Sequence, residues 1–214
     1  MYIPEHFRAR DHADALTFVR ANPFAILVSS IEEGPFASHV PVTIQQTGEQ
    51  VVLRGHFAKA NPHWRYLEQA PRCLTIFHGP HSYISPSLYT NRESVPTWNY
   101  VAVHVYGEAR MFSTPDALLG MLHELMGTFE PAYAEQWASL SDTYRERMLS
   151  HIVGFEITAT KIEAKFKLSQ NRTKEDQANI IAALKKDDDS TVSGVARMMQ
   201  ELGFDKIPTK RQGD

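Results

Sequence analysis

The sequence contains one cysteine, Cys73, so no disulfide can form within the chain. Cys73 lies in the segment RCLTIF, whose pattern predicts a strand with the thiol buried as a small apolar group. No apolar run approaches the roughly 20 residues that span a bilayer, and the opening MYIPEHFRARDH lacks the apolar core of a secretory signal. These absences predict a cytoplasmic protein in a reducing compartment, with no membrane partner.

A surplus of positive charge is also absent. With 22 Lys and Arg against 25 Asp and Glu, the formal net charge is −3, which argues against a broad basic face for nucleic acid. The 214 residues are enough to bury the core of one domain with an appendage. We expect a barrel domain over residues 1–170 and a helical extension over 171–214.

Apolar patterning predicts the secondary structure. Strands are expected over 24–31, 36–45, 49–58, 72–79 with an end at Gly79-Pro80, 151–166, and from Val101 onward within 95–112. Helices are expected after Asp11, after Asn61-Pro62, after Thr114-Pro115, over about 132–150, and twice between Thr173 and Gly203. No strand-helix-strand rhythm appears. The expected fold is therefore mainly β with α, a six-stranded antiparallel barrel with peripheral helices and a helical C-terminus.

The stretch VPTWNYVAVHVYGEARMF, residues 95–112, combines a strand with ligand-binding chemistry at its start. Pro96, Thr97, Trp98, Asn99 and Tyr100 place a rigid turn, an indole, an amide and a phenol in five consecutive positions. A strand that opens with these groups is typical of a ligand border. The alternative is that the two aromatic rings are core residues with satisfied polar tips.

Two further segments have the residues of a binding site. In GHFAKANPHW, His56 and Lys59 precede a helix start at Asn61, where a cation and free backbone N–H groups can hold a phosphate. In KFKLSQNRTKED, the basic residues Lys165, Lys167, Arg172 and Lys174 interleave with Ser169, Gln170 and Asn171, which can bind the edge of a heterocycle. For both segments the alternative is an ordinary solvated surface.

The ten histidines do not form a metal or catalytic pattern. His78 and His81 have HxxH spacing, but Gly79-Pro80 between them prevents the helix that would align them, so no metal site is expected. The loop around these residues is better suited to cover a ligand, with Tyr83 and Tyr89 as apolar walls and Ser85 as a hydrogen-bonding group. The alternative is that the loop packs on the core. No nucleophile with a neighbouring base is recognisable, and His39 and His104 have the positions of structural histidines.

Six segments together resemble one family. MYIPEHF, SHVPV, GHFAKANPHW, GPHSYISPSLY, VPTWNYVAVHVYG and KFKLSQNR, in this order over residues 1–185, are similar to the PaiB family of FMN-binding negative transcriptional regulators. The resemblance implies an FMN-binding split β-barrel and a homodimer with FMN at the subunit boundary. It also implies repression of genes for protease synthesis and sporulation.

The resemblance assigns site residues by position. Those expected at the FMN phosphate are His56, Ala58, Lys59 and Asn61, and those expected beneath the flavin ring are Ser38, His39, Pro41 and Val42. Trp98 and Asn99 fall where the partner subunit would approach, and Lys167, Ser169 and Gln170 match the late basic motif of the family.

The residues leave the function open beyond cofactor binding. A regulator that senses a ligand or redox state is one interpretation, and an FMN-dependent oxidoreductase of the pyridoxamine-oxidase-like class is the other. Haem, which related split barrels bind, ranks below flavin because no axial ligand is recognisable. Direct DNA binding is weakly supported, since the tandem helices of residues 173–202 carry Lys185, Lys186 and Arg197 beside the acidic run 187–189.

Overall fold

A seven-stranded sheet is the centre of the fold in the computed structural model, which describes residues 1–9 and 11–203. The strands are β1 Phe24–Ile31, β2 Gly34–Pro41, β3 Thr43–Thr47, β4 Gln50–Ala58, β5 Arg72–Ile84, β6 Thr97–Phe112 and β7 Ile152–Lys167. Their order in the sheet is β2-β1-β5-β6-β7-β4-β3. The pairs β1–β2, β1–β5, β3–β4 and β4–β7 are antiparallel. The predicted class, antiparallel strands with helices around them and a helical C-terminal part, is confirmed.

Seven α-helices accompany the strands within the described residues. They are α1 His12–Ala21, α2 His63–Gln69, α3 Pro115–Phe129, α4 Tyr133–Ser139, α5 Asp142–Leu149, α6 Lys174–Leu184 and α7 Ser190–Glu201. Short 3-10 helices cover Glu5–Phe7 and Pro86–Leu88. In this part of the chain, none of the helices is long and apolar enough to cross a membrane.

The predicted count of six strands is wrong, because the expected strand over 36–45 is two strands. β2 ends at Pro41, which has no N–H to donate to a ladder. The N–H of Val42 donates to the carbonyl of Pro23 at 3.0 Å instead. The chain changes partners at this point, since β2 pairs with β1 and β3 pairs with β4.

The predicted strand end at Gly79-Pro80 is also wrong, because β5 continues to Ile84. The pairing of β5 with β1 stops at Ile76, so Pro80 removes no hydrogen bond from that ladder. Its ring instead packs against α7, where a Cβ on Gly194 would lie 2.7 Å from Pro80 Cγ. A glycine at residue 194 thus permits the close approach of helix and strand.

The helical stretch predicted over about 132–150 contains a break. α4 ends at Ser139, and α5 begins after Ser141, whose hydroxyl accepts a hydrogen bond from the N–H of Tyr144 at 3.3 Å. A serine in the N-cap position satisfies a helix-start N–H that would otherwise have no partner. The two helices are therefore separate elements.

The chain forms two compact units. The central unit comprises His12–Phe77 and Val103–Glu163. The terminal unit comprises Met1–Asp11, His78–Ala102 and the described residues from Ala164 onward. The strands β5, β6 and β7 contribute residues to both units. The last part of the predicted C-terminal extension, residues 204–214, lies outside the described residues.

The core of the central unit contains large apolar side chains from alternating strand positions. Leu53, Phe57 and Phe155 are fully buried, and the rings of Phe57 and Phe155 have centroids 4.9 Å apart. Gly55 packs between Phe155 and the backbone of Pro41, since a Cβ there would come within 2.7 Å of the Phe155 ring and 2.8 Å of the carbonyl oxygen of Pro41. The close packing of the β4 backbone thus requires glycine.

The core of the terminal unit is built by α6 and α7 with the end of β7. Leu168, Ile180, Val195 and Met199 are all completely buried. On α7, Val195 and Met199 are four residues apart and so lie on one face of the helix. This helix pair covers the segment that follows β7, which contains the predicted motif KLSQN.

Candidate functional site

A cavity with aromatic walls lies in the terminal unit, on one face of β6. It has a volume of about 380 Å³ and is lined by His78, Gly79, His81, Trp98, Tyr100 and Val101. Successive side chains of a strand point to opposite faces, so Trp98 and Tyr100 share this face while Thr97 and Asn99 lie on the other. The Trp98 and Tyr100 side chains of the WNY motif therefore lie on the opposite face of β6 from the Asn99 amide.

Trp98 is the most prominent group of this cavity. Its side chain is 53% exposed, and the ring centroid lies 6.2 Å from that of His81 and 6.1 Å from that of Tyr83. The ring of Tyr83 meets the indole edge to face at an interplanar angle of 74°. A large indole that is held by neighbouring rings yet half exposed is a ready surface for a flat apolar ligand.

The opposite face of β6 has a buried polar network. Asn99 is completely buried, and its side-chain amide exchanges hydrogen bonds with the hydroxyl of Ser169 at 3.0 and 3.1 Å. The carbonyl of Ser169 accepts a further bond from Gln177 Nε2 at 3.0 Å. Ser169 has a φ of 63°, which residues other than glycine rarely adopt, and these three hydrogen bonds hold its backbone in that conformation. The predicted residues Asn99 and Ser169 thus lie together, but their side chains use their hydrogen-bonding groups on each other.

The basic motif is engaged within the terminal unit as well. Lys167 Nζ donates to the hydroxyl of Thr97 at 2.6 Å beside a cavity of about 110 Å³. Burial lowers the pKa of Lys167, with Tyr100 opposing the shift and the charge of Lys165 adding to it. The ammonium of Lys165 lies 5.3 Å from the ring centroid of Tyr100 in a cation–π contact. Both lysines are therefore partly desolvated.

Gln170 has a structural position at the end of β7. Its side-chain carbonyl accepts a hydrogen bond from the N–H of Leu168 at 2.7 Å, and its amide donates to the carbonyl of Phe166. Both functional groups of the side chain are used by the adjacent backbone. A ligand at Gln170 would have to use the second N–H and the second oxygen lone pair of this side chain, whose position the backbone fixes.

A second buried polar network lies in the central unit and centres on His63. The Ser38 hydroxyl accepts a bond from Asn61 Nδ2 at 3.0 Å and lies 2.9 Å from His63 Nδ1. On the other side of the ring, His63 Nε2 is 3.0 Å from the hydroxyl of Ser29. The side-chain oxygen of Asn61 also accepts a bond from the N–H of His63, the first residue of α2, at 3.0 Å. Ser38 and Asn61, both predicted site residues, meet in this network.

His63 itself was missed by sequence reasoning. It is completely buried between the aromatic rings of Phe36 and Phe57, at centroid distances of 5.0 and 5.2 Å. Burial lowers the pKa of His63 to about 4, so the ring is neutral at physiological pH. Nothing in the sequence distinguishes this histidine from the other nine, because its partners Ser29 and Ser38 are distant in the chain.

The other predicted phosphate residues lie around the end of β4. The backbone of Lys59 donates to the carbonyl of His151 at 2.7 Å, and its carbonyl accepts from Trp64 Nε1 at 3.0 Å. Its side chain is exposed and makes no ion pair with any described residue. Ala58 is exposed, whereas His56 is half-buried, and burial lowers the pKa of His56. Lys59 is thus the available cation of this segment.

The predicted hairpin residues have mixed exposure. The exposed ring of His39 stacks on Phe24 with a centroid distance of 6.1 Å and an interplanar angle of 28°. Pro41 is exposed, while Val42 is buried. All the predicted hairpin and phosphate residues belong to the central unit, and Trp98, Asn99 and the basic motif belong to the terminal unit. Within residues 1–9 and 11–203, no three His, Cys, Asp or Glu side chains are grouped to hold a metal ion.

Comparison with known proteins identifies relatives along most of the chain. Residues 1–161 match the family described as "Putative FMN-binding domain". The "Protease synthase and sporulation protein PAI 2" of Bacillus subtilis is 37% identical over 203 residues, which cover 94% of this chain and 97% of that protein. A similarity of this extent includes both compact units.

Solved structures with the same fold are far more distant in sequence. The flavocytochrome Anf3 from Azotobacter vinelandii aligns with a TM-score of 0.59 at 13% identity, over 77% of this chain and 72% of that one. The FAD and heme binding protein from Mycobacterium smegmatis aligns with a TM-score of 0.57 at 13% identity, over 75% and 73%. At this identity the likeness concerns the fold, which is that of the flavin-binding split barrels.

Proposed function

Because the chain belongs to the PaiB family, whose domain is described as FMN-binding, we propose that it binds FMN. The observation that carries this proposal is the aromatic cavity on β6. Its volume of about 380 Å³ lies within the range of about 300 to 1,000 Å³ of small-molecule sites. Its walls are predominantly aromatic, as a planar ring requires. The residues present therefore fit a flavin.

Each group of the cavity has a part in the proposed binding. Trp98 offers the face of its indole to the flavin ring, and Tyr83 and His81 hold that indole in position. His78 and His81 can donate or accept hydrogen bonds at the polar edge of the ring. FMN supplies redox chemistry when it is bound, whereas the protein orients it.

An absorption spectrum of the freshly purified protein tests this proposal. We expect the visible bands of a flavin, either as purified or after incubation with FMN and removal of the unbound cofactor. A haem spectrum would instead favour the haem alternative. A protein that is colourless and does not retain FMN would contradict the proposed function.

We propose that, in a homodimer with FMN at the subunit boundary, Lys59 of one protomer contributes to binding of the phosphate, while Trp98 of the other protomer holds the ring. Because its ammonium is exposed and has no ion-pair partner, the substitution Lys59→Ala should weaken FMN binding by about 1 kcal/mol, the upper range for solvated charge pairs. Binding of riboflavin, which has no phosphate, should not change. Fluorescence titration of both flavins measures the difference. Lys185→Ala, a change of another exposed lysine, is the control, and equal FMN affinity of the two variants would remove Lys59 from the site.

We also propose that the protein has a regulatory role. This proposal rests on its membership of the PaiB family, to which the similar Bacillus protein also points. Among the described residues, α6 and α7 have no basic residue in their last turns, and the acidic run 187–189 lies between them. We therefore propose that regulation acts through a ligand or a protein partner. A mobility-shift assay at physiological salt should show only weak, sequence-independent and salt-sensitive DNA binding. Tight binding to one operator sequence would contradict this mode.

A second candidate function is that of an FMN-dependent oxidoreductase. It is favoured by the exposure of Trp98 in the single chain, since a flavin bound there could be reached by a substrate from solvent unless a second copy of the chain covers this face. Consumption of NADH or NADPH with turnover of the bound flavin would support the enzyme. Absence of turnover with flavin bound would favour the regulator.

We also propose a homodimer, because two large aromatic side chains, Trp98 and Tyr83, remain half exposed beside the cavity. A second copy of the chain could cover them and complete the surroundings of the cofactor. Sedimentation equilibrium should give twice the mass of one chain. A monomer at micromolar concentration that still binds FMN would separate cofactor binding from dimerisation.

A further inference from the structure

A larger cavity lies in the central unit, between the first turns of α3 and the sheet. It has a volume of about 520 Å³, and we call it the α3 cavity. Its sheet side is formed by Arg54, Arg110 and Glu156, and its helix side by Ala117, Gly120 and Met121. The volume is sufficient for a small organic molecule. None of the predicted flavin-site residues lines it.

The helix α3 has small residues at the rim of the cavity. Leu118, Met121 and Leu125 anchor the helix in an apolar cluster with Leu149. Ala117 and Gly120 are exposed at the rim of the cavity, and a Cβ on Gly120 would meet nothing within 4 Å, so the cavity is open to solvent on this side. Glycine is less favourable than alanine in the interior of a helix, so helix stability does not explain why residue 120 is a glycine. Its effect is to leave the cavity open.

The charges of the cavity are unevenly satisfied. The guanidinium of Arg54 contacts Glu124 at 2.7 Å and Glu156 at 2.7 Å, so it is fixed by two carboxylates. Arg110 makes one longer contact, 3.4 Å from Nη2 to Glu156, and its side chain is 69% exposed. Most of the N–H donors of Arg110 therefore have no protein acceptor within the described residues. These N–H donors can bind a carboxylate in a bidentate arrangement.

Apolar groups adjoin this cation. Met111 and Phe112 from the end of β6 and Met121 from α3 form part of the wall. A ligand that placed a charged group on Arg110 would bring the rest of its structure against these side chains. Methionine side chains adapt to ligands of irregular shape.

We propose that the α3 cavity binds a small organic monocarboxylate with an apolar body, with the carboxylate on Arg110 and the body against Phe112, which shares the face of Arg110 on β6, and Met121. The proposal is independent of flavin binding, because its residues differ from those of the aromatic cavity. A ligand of this class at the base of α3 would stabilise the position of the helix. The α3 cavity would then be a site at which a bound metabolite changes the stability of the central unit.

Calorimetric titration with three probes tests the proposal on the full chain. Benzoate has both the charge and the apolar body, acetate has only the charge, and benzyl alcohol has a similar body without the charge. We expect saturable binding of benzoate, at least about tenfold tighter than that of either other probe, as expected for an interaction that needs both groups. Failure of benzoate to bind at millimolar concentration would overturn the proposal.

Two glycines of α3 provide a matched pair of variants. Gly120→Leu should cover the open side of the cavity and weaken benzoate binding by about tenfold or more. Gly127→Leu makes the same change at another open position of α3, outside the cavity lining, and should bind as the wild type does. Unchanged binding in Gly120→Leu would contradict the assigned place. If Gly120→Leu does not fold, Arg110→Gln provides the test. It should weaken the binding of benzoate but not that of benzyl alcohol.

Discussion

Replacing Trp98 by alanine should weaken FMN binding by about 1 to 3 kcal/mol, the range found when one stacking aromatic residue is removed from beneath a base. The physical reason is the loss of a large polarisable face from the aromatic cavity. Because the side chain is 53% exposed in the free protein, the change should have a small effect on folding. Quenching of FMN fluorescence upon titration measures the affinity.

The control for this change is Phe129→Ala, which removes another large exposed aromatic side chain, at the end of α3 in the central unit. It should leave FMN affinity unchanged. A ring-preserving change, Trp98→Phe, should retain a large part of the affinity, since stacking needs a planar face more than the indole N–H. An FMN affinity of Trp98→Ala equal to that of the wild type would exclude the aromatic cavity as the flavin site.

The second large effect is a loss of folding stability in acid that originates at His63. Burial lowers its pKa from about 6.5 in the unfolded chain to about 4 in the folded protein. The unfolded state therefore binds a proton more readily, so the contribution is fully present above about pH 6.5 and is lost as the pH falls towards 4. With 1.36 kcal/mol for each pKa unit, the loss amounts to about 3 kcal/mol.

Urea unfolding at several pH values between 7.5 and 4 would measure this dependence. Burial also lowers the pKa of His56 and of His104, so they add to the slope in the same direction. The variant His63→Gln should be less stable at neutral pH but should have a visibly shallower pH dependence. The exposed His123, changed to glutamine, is the control. An identical slope in His63→Gln and in the wild type would show that another group governs acid unfolding.

The strands could be read from the sequence because alternation is a local property. The segments 24–31 and 151–166 were predicted almost to the residue, since their apolar positions face one core. The errors arose where the outcome depends on pairing. Pro41 ends β2 because the chain changes partner there, whereas Pro80 remains inside β5 because its ladder with β1 has already stopped. Neither pairing can be read from one sequence.

The candidate site was predictable in part. The exposed position of Trp98 and the free side chain of Lys59 agree with the expected ligand contacts, which remain predictions. Ser169 and Gln170, in contrast, have the residue types of a ligand-binding motif but bond to Asn99 and to the neighbouring backbone. Hydrogen-bonding capacity is visible in a sequence, but whether it is used internally depends on contacts between distant residues.

The central claim is that the flavin lies against Trp98 on β6, and a crystal structure of the FMN-reconstituted protein tests it most directly. We predict electron density for the isoalloxazine ring within stacking distance of the Trp98 indole. Density for FMN at another surface, with the indole still open to solvent, would contradict the claim.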